Sequence, residues 1–345
     1  MGRWVRWVLI FLVLLALIAA VLGWMAWRRI NGPGTAFTEE SRVLLIPSSA
    51  TYEQVVDSLR AEGAFRDEEL FRLVAERKKY PSRVKSGRYR IVRGTSLNDL
   101  VDMLRSGQQE PVRVTFTNIE DLPELAGRVA QYLEPDSLAM LELLADTTLM
   151  RSLGHSPETF IGMFIPDTYE FWWNTTPAKF VERMRKEHEA FWTVSRLAKA
   201  DAIGLKPGKV ATLASIVQAE TVKPDESPRI AGVYLNRLRI GMPLQADPTL
   251  KFALGDRAIR RLLNVDKQID SPYNTYLYTG LPPGPINMPE RRFIDAVLDA
   301  ERHEFLYFCA REDLSGYSNF ARTYDQHLVN ARRYQRALDQ QGIMR

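Results

Sequence analysis

Between Val8 and Met25 the chain carries no charged side chain. A run of that length spans a bilayer as a helix, and a small soluble core has little room to bury it. Its flanks agree, because four of the seven tryptophans stand there: Trp4 and Trp7 before the run, Trp24 and Trp27 after it. Amphipathic rings at both ends form the aromatic belt of a membrane-spanning helix. A cleaved signal peptide is the rival reading. The apolar run is long for that purpose, and Trp24, Trp27, Arg28 and Arg29 follow it directly, which favours a retained anchor. We therefore expect a short tail at 1–6, a transmembrane helix at 7–27 and a linker at 28–40. Charge leaves the orientation open, since Arg3, Arg6 and the amino terminus oppose Arg28 and Arg29.

Outside this segment the chain is electrically balanced. Those four arginines account for the whole formal excess of +4. A balanced remainder gives no electrostatic footprint for nucleic acid, so none is expected as a partner. Cys309 is the only cysteine, which excludes an intrachain disulfide. The four histidines (His155, His188, His303 and His327) have no metal-ligand spacing, so neither a metal nor a cofactor is expected.

Hydropathy periodicity and caps divide what remains into two regions. From 41 to 110 the order is β-α-α-β-α. A strand covers Val43 to Ile46, and Thr51 with Gln54 forms a capping box that opens a helix. A second helix runs from about Glu68 to Arg77, and a strand from Tyr89 to Val92. Ser96 with Asp99 opens a third helix, which Gly107 ends. The module holds no chemical constellation, so it reads as a spacer or a ligand-binding module. From 111 to 345 we expect a larger α+β domain. It begins with a strand at Val112 to Phe116. Helices follow at about Leu122–Leu133, Asp136–Ala145, Pro177–Trp192, Arg229–Leu238 and Glu290–Glu301, with a last one over about Tyr324–Leu338. The stretch from Gly241 to Pro289 is rich in Pro, Gly, Asn and Thr and reads as a long irregular segment. Such a segment inside a compact domain is usually functional.

Candidate chemistry lies in three strings. LASIVQAET, Leu213 to Thr221, is an apolar helical segment with one carboxylate in its last turn. At helical spacing Val210, Leu213, Ala214, Ile216 and Val217 form a stripe into which Glu220 projects, while Gln218 points away. Burial there disfavours ionisation and suits a general acid near neutral pH. The alternative is a helix-end glutamate that reaches solvent or a basic neighbour. In LNRLRIGMPLQADPTLKFALG, Leu235 to Gly255, Gln245 and Asp247 precede Pro248, which favours an extended Ala246-Asp247. In SPYNTYLYTGLPPGPI, Ser271 to Ile286, Asn274 and Thr275 stand among Tyr273, Tyr276 and Tyr278. Amides and hydroxyls beside aromatic rings suit a sugar polymer. Equally, Asn274 and Asp247 could satisfy loop backbone groups.

The three strings, in this order, resemble the motifs of the endolytic murein transglycosylase family, the YceG-like proteins. The family pattern is close to LASIVExET, then NRLxxGMxLQxDPT, then YNTYxxxGLPPGPI. The resemblance implies a LysM-like module at 41–110 and a catalytic domain at 111–345, outside the cytoplasm and anchored in the bacterial inner membrane. It implies cleavage of peptidoglycan glycan strands between N-acetylmuramic acid and N-acetylglucosamine without water, leaving 1,6-anhydromuramyl ends. By position the catalytic acid/base falls on Glu220, and Thr221, Gln245, Asp247, Tyr273, Asn274 and Thr275 fall among the substrate-binding positions. Thr221 is expected to hydrogen-bond Glu220 and orient it. Contact with cell-wall synthases is also implied. The chain departs from the pattern at Gln218, where many relatives have Glu, at Ile161 and at Tyr317. Two other readings of the same residues are a water-using muramidase with Asp247 as second carboxylate and a non-catalytic peptidoglycan-binding scaffold.

Overall fold

The computed structural model describes residues 2–256, 259 and 262–341. These form two compact units. The first holds Met1–Arg113 with Tyr132–Glu134 and Glu170–Thr175, and the second holds Val114–Gln131, Pro135–Tyr169 and Thr176–Arg345.

In the first unit helix α1 runs Arg3–Asn31, longer than the apolar run, because no breaker intervenes before Gly32-Pro33. None of its residues is buried. By length and composition it is able to cross a membrane. Strand β1, Ser41–Ile46, follows, then α2, Tyr52–Ala61, and α3, Glu68–Arg77. Strand β2, Gly87–Val92, and α4, Leu97–Ser106, complete the β-α-α-β-α order read from the sequence. The two strands pair antiparallel, from Ser41 opposite Val92 to Ile46 opposite Gly87. Period-two alternation turns Leu44, Ile46, Tyr89 and Ile91 inward, onto Val55, Val56, Leu59, Phe71 and Leu100. The Thr51–Gln54 capping box is present, and α4 ends at Gly107 with φ 77°, a conformation glycine adopts without a Cβ penalty.

In the second unit strand β3, Val112–Phe116, whose last three residues belong here, pairs with β4, Asp167–Phe171, whose first three do. Thr115 and Thr168 hydroxyls meet across the pair at 2.7 Å. Between them lie α5, Leu122–Ala130, α6, Ser137–Leu144, and a short α7, Thr147–Ser152, that the periodicity does not reveal. After β4 come α8, Pro177–Phe191, α9, Val194–Ala202, and α10, Pro207–Glu220. Then follow α11, Ser227–Arg239, α12, Asp247–Leu254, and α13, Arg291–Leu298. The antiparallel hairpin β5, Tyr307–Ala310, and β6, Ser318–Ala321, leads to α14, Tyr324–Gln340.

Two sequence expectations need correction. Helix α12 interrupts the segment expected to be irregular. Pro248 stands in its first turn, where a missing N–H costs nothing, and the extended conformation falls on Ala246 alone, with φ −89° and ψ 113°. Helix α10 also has no exposed face over most of its length: Ala211, Thr212 and Ser215 are buried along with the predicted stripe. Helices α9, α11, α12 and α13 surround it, so it is the central strut of this unit. A helix apolar on all sides is stable only in such a position.

Candidate active site

The last residue of the central strut is Glu220, and the chain leaves the helix at Thr221 in an extended conformation. The carboxyl group is crowded by protein while the residue keeps some exposure, the condition of a group on the floor of an open cleft. Removal from water pushes its pKa up to about 7. Four neighbours modulate that value. Tyr234, 1% exposed on α11, donates its hydroxyl to Glu220 Oε1 at 2.9 Å and favours the ionised form. Asp247 works in the opposite sense through its charge, while Arg237 and Lys251 draw the value down. The result is an acid half-ionised near neutrality.

Tyr234 and Arg237 are one helical turn apart on the buried face of α11, and the sequence reading missed both. The available signal was an arginine on the apolar side of a helix, a position where charge is rare unless engaged. Arg237 is engaged by carbonyls. Its guanidinium donates to Leu306 O at 2.7 Å, Leu244 O at 2.7 Å and Pro243 O at 3.3 Å. It thereby ties the segment before Gln245 to the start of the β5–β6 hairpin. Among the described residues it forms no ion pair, so its positive field reaches the Glu220 carboxylate.

The QADPT segment forms the next wall. Gln245 has φ 50°, unusual for a residue with a Cβ, and its side chain is exposed. Thr275 holds this turn in place. Its carbonyl accepts the Gln245 N–H at 2.9 Å, and its hydroxyl accepts the Ala246 N–H at 3.0 Å and meets Thr249 Oγ1 at 2.8 Å. Asp247 is exposed at the head of α12 and accepts a hydrogen bond from the Tyr276 hydroxyl. Tyr276 was not among the expected binding positions. Tyr273 packs against Phe252 of α12, ring centroids 4.6 Å apart and planes tilted by 46°.

Asn274 and Thr275 stand beneath the cleft surface. Asn274 is fully buried: its Nδ2 donates to Lys267 O at 3.0 Å and Ile269 O at 2.8 Å, and its Oδ1 accepts the Tyr276 N–H at 3.0 Å. These two side chains are committed to holding the loop that carries Tyr273 and Tyr276. Thr221 likewise bonds the backbone of Lys223, at 2.9 Å as acceptor and 3.3 Å as donor. The expected Thr221–Glu220 hydrogen bond gives way to Tyr234, because the extended Thr221 turns its hydroxyl toward the next loop. Gln218 is occupied too: its Oε1 accepts the Glu290 N–H at 2.8 Å just ahead of α13.

Two close approaches fix the frame. A Cβ at Gly232 of α11 would lie 2.4 Å from Glu301 O, and one at Gly284 would lie 2.0 Å from Glu158 O. Only glycine permits either contact. Beside Glu220 a cavity of about 370 Å³ opens between Gln218, Ala219, Lys251, Phe252, Ile286 and Asn287, among others.

Comparisons with known proteins bear on this arrangement. The model of the YceG-like family matches residues 44–333. An endolytic murein transglycosylase of Bacillus subtilis (strain 168) is 28% identical over 301 residues, covering 82% of this chain and 81% of that protein. One of Streptococcus pneumoniae (strain ATCC BAA-255 / R6) is 26% identical over 317 residues; the alignment covers 82% of this chain but 57% of the relative. A crystal structure of a YceG-like protein from Listeria monocytogenes shares the fold, with a TM-score of 0.57 and 24% identity over 85% of this chain and 99% of the other. The match to the family model runs through both units and all three motif strings, and this chain belongs to the YceG-like family.

Proposed function

We propose that the chain is a peptidoglycan lytic transglycosylase with Glu220 as its acid/base. The relatives named endolytic murein transglycosylase support the activity class. The observation that carries the catalytic assignment is a carboxylic acid with a pKa near 7, ending a buried helix and held by the Tyr234 hydroxyl.

In the first step protonated Glu220 gives its proton to the glycosidic oxygen as the bond to C1 of N-acetylmuramic acid breaks. Positive charge develops at C1, and the new carboxylate or the substrate's acetamido group steadies it. In the second step the C6 hydroxyl of the same sugar attacks C1 while Glu220 takes its proton. The acid is regenerated, and a 1,6-anhydro ring closes without water. An intramolecular nucleophile has a high effective concentration, so one carboxylate suffices. A group that gives one proton and then accepts another works best with a pKa close to ambient pH. Tyr234 orients Glu220, and Arg237 braces the Gln245 turn. Gln245, Asp247 and Tyr273 meet the glycan, with Asn274 and Thr275 shaping the loop beneath it. Helix α1 anchors the chain in the inner membrane with the second unit outside the cytoplasm, and the 41–110 region is a LysM-like module that engages glycan.

The test is mass spectrometry of glycan fragments released by the protein and by its Glu220→Gln variant. The expected result is 1,6-anhydromuramyl ends from the first and none from the second. Reducing ends would replace the lytic mechanism with hydrolysis and turn attention to Asp247. Binding with no release from any strand would refute enzymatic function.

A further inference from the structure

The cavity beside Glu220 has polar walls that the cleavage chemistry does not use. On α12 the Lys251 ammonium lines it without an ion-pair partner among the described residues. Glu120 stands on the same wall and is itself engaged elsewhere. Gln218 spends its carbonyl oxygen on the Glu290 N–H, which fixes the amide and leaves its NH2 as a donor. Asn287 presents the opposite polarity. Its Nδ2 donates to Ser215 O at 3.1 Å, so the plane of its amide is set by the backbone of α10. Its Oδ1 is buried and has no hydrogen-bond partner among the described residues. Phe252 and Ile286 supply apolar wall between these groups.

A cation, an amide donor and an unpaired acceptor around one cavity form a mould for a group bearing a carboxylate, a carbonyl and an N–H. The N-acetylglucosamine unit has no carboxylate, and in a muramoyl residue that keeps its stem the lactyl carboxyl is already an amide, so Lys251 would be desolvated against the sugars alone without return. A peptide has all three groups. At about 370 Å³ the cavity lies at the lower end of the range that small ligands occupy, enough for a short arm and not for a glycan strand. On the transglycosylase reading the substrate carries such an arm on every muramic acid that retains its peptide stem, attached through the lactyl group next to the bond that is cut. We infer that this cavity receives the peptide stem of the muramoyl residue, with Lys251 pairing a stem carboxylate and Asn287 Oδ1 accepting a stem amide N–H. The enzyme therefore reads the stem as well as the glycan. This inference rests on the function proposed above.

The experiment uses the full-length protein in detergent and two sets of glycan strands with stems attached. One set keeps its stem carboxylates, and in the other they are converted to amides, which leaves shape and length unchanged. Native protein should cleave the carboxylate-bearing strands about tenfold more efficiently in kcat/KM, the worth of one charge-assisted contact. Lys251→Met should bring that ratio close to one, and Lys251→Arg should restore most of it. Any effect of residue 251 on the ionisation of Glu220 acts on both substrates and cancels in the ratio. Equal cleavage of the two sets by native protein, or an unchanged ratio in Lys251→Met, overturns the inference while leaving the transglycosylase reading intact. No cleavage of either set overturns both.

Discussion

Replacing Tyr234 by Phe removes one oxygen atom from the site and leaves the shape of a buried ring untouched. That oxygen donates to Glu220 Oε1 at 2.9 Å and is the largest influence opposing the upward push of burial on the carboxyl pKa. A hydrogen bond to a charged group contributes about 1.5–3 kcal/mol, and each pKa unit corresponds to about 1.36 kcal/mol. Loss of the hydroxyl should therefore raise the Glu220 pKa, now about 7, by about one to two units. Because the first chemical step needs the protonated acid, kcat/KM falls as pH rises through the pKa of the free enzyme. The assay is the pH dependence of kcat/KM for release of anhydromuramyl ends, native protein beside Tyr234→Phe. The alkaline limb should move up by at least about one unit in the variant. Rates at the optimum should fall as well, since the carboxyl loses its orienting partner. An alkaline limb that stays in place, or moves to lower pH, would refute the argument that this hydroxyl stabilises the ionised carboxylate.

The other predictions concern stability. A glutamate whose folded pKa lies above its unfolded value destabilises the fold as pH rises. With values of about 7 folded and 4.5 unfolded, the penalty is absent below about pH 4.5, grows up to about pH 7 and is complete above it, at about 3 kcal/mol. Glu220→Gln should thus be the more stable protein at pH 8 by an amount of that order. The advantage should vanish near pH 4; equal denaturation midpoints for the two proteins at pH 8 would contradict it. Gly232→Ala should gain about 1 kcal/mol of helix propensity and lose more to the clash with Glu301 O. A melting temperature at or above the native one would show that the Glu301–His303 segment yields easily.

The parts of the fold legible in the sequence were those governed by local rules. The Thr51–Gln54 box, the Ser96 cap and the Gly107 stop act through hydrogen bonds and dihedral angles within a few residues. Their elements accordingly appear close to the expected bounds. Helices α7 and α9 were illegible because they are short and present little apolar periodicity: only Met150 and Ala200 respectively are buried. Helix α12 was hidden by Pro248, a residue that opens helices and irregular segments alike.

At the site, the sequence marked Glu220 as a candidate, because one carboxylate in an otherwise apolar helical run is a local fact, and the resemblance to the family assigned it the acid/base position. It also supplied the anchor-like helix, the charge balance and the three strings by which the family is read. Tertiary packing alone decided what surrounds that carboxylate. Tyr234 reaches it from fourteen positions away, and Asp247, Lys251 and Arg237 act on it from two other helices. The same packing turned Asn274 and Thr275 inward and left Tyr276 beside Asp247. Residue identity indicates that a group is able to ionise or to donate a hydrogen bond. Which state it takes depends on desolvation and on partners within a few ångströms, and those distances exist only once the chain has folded.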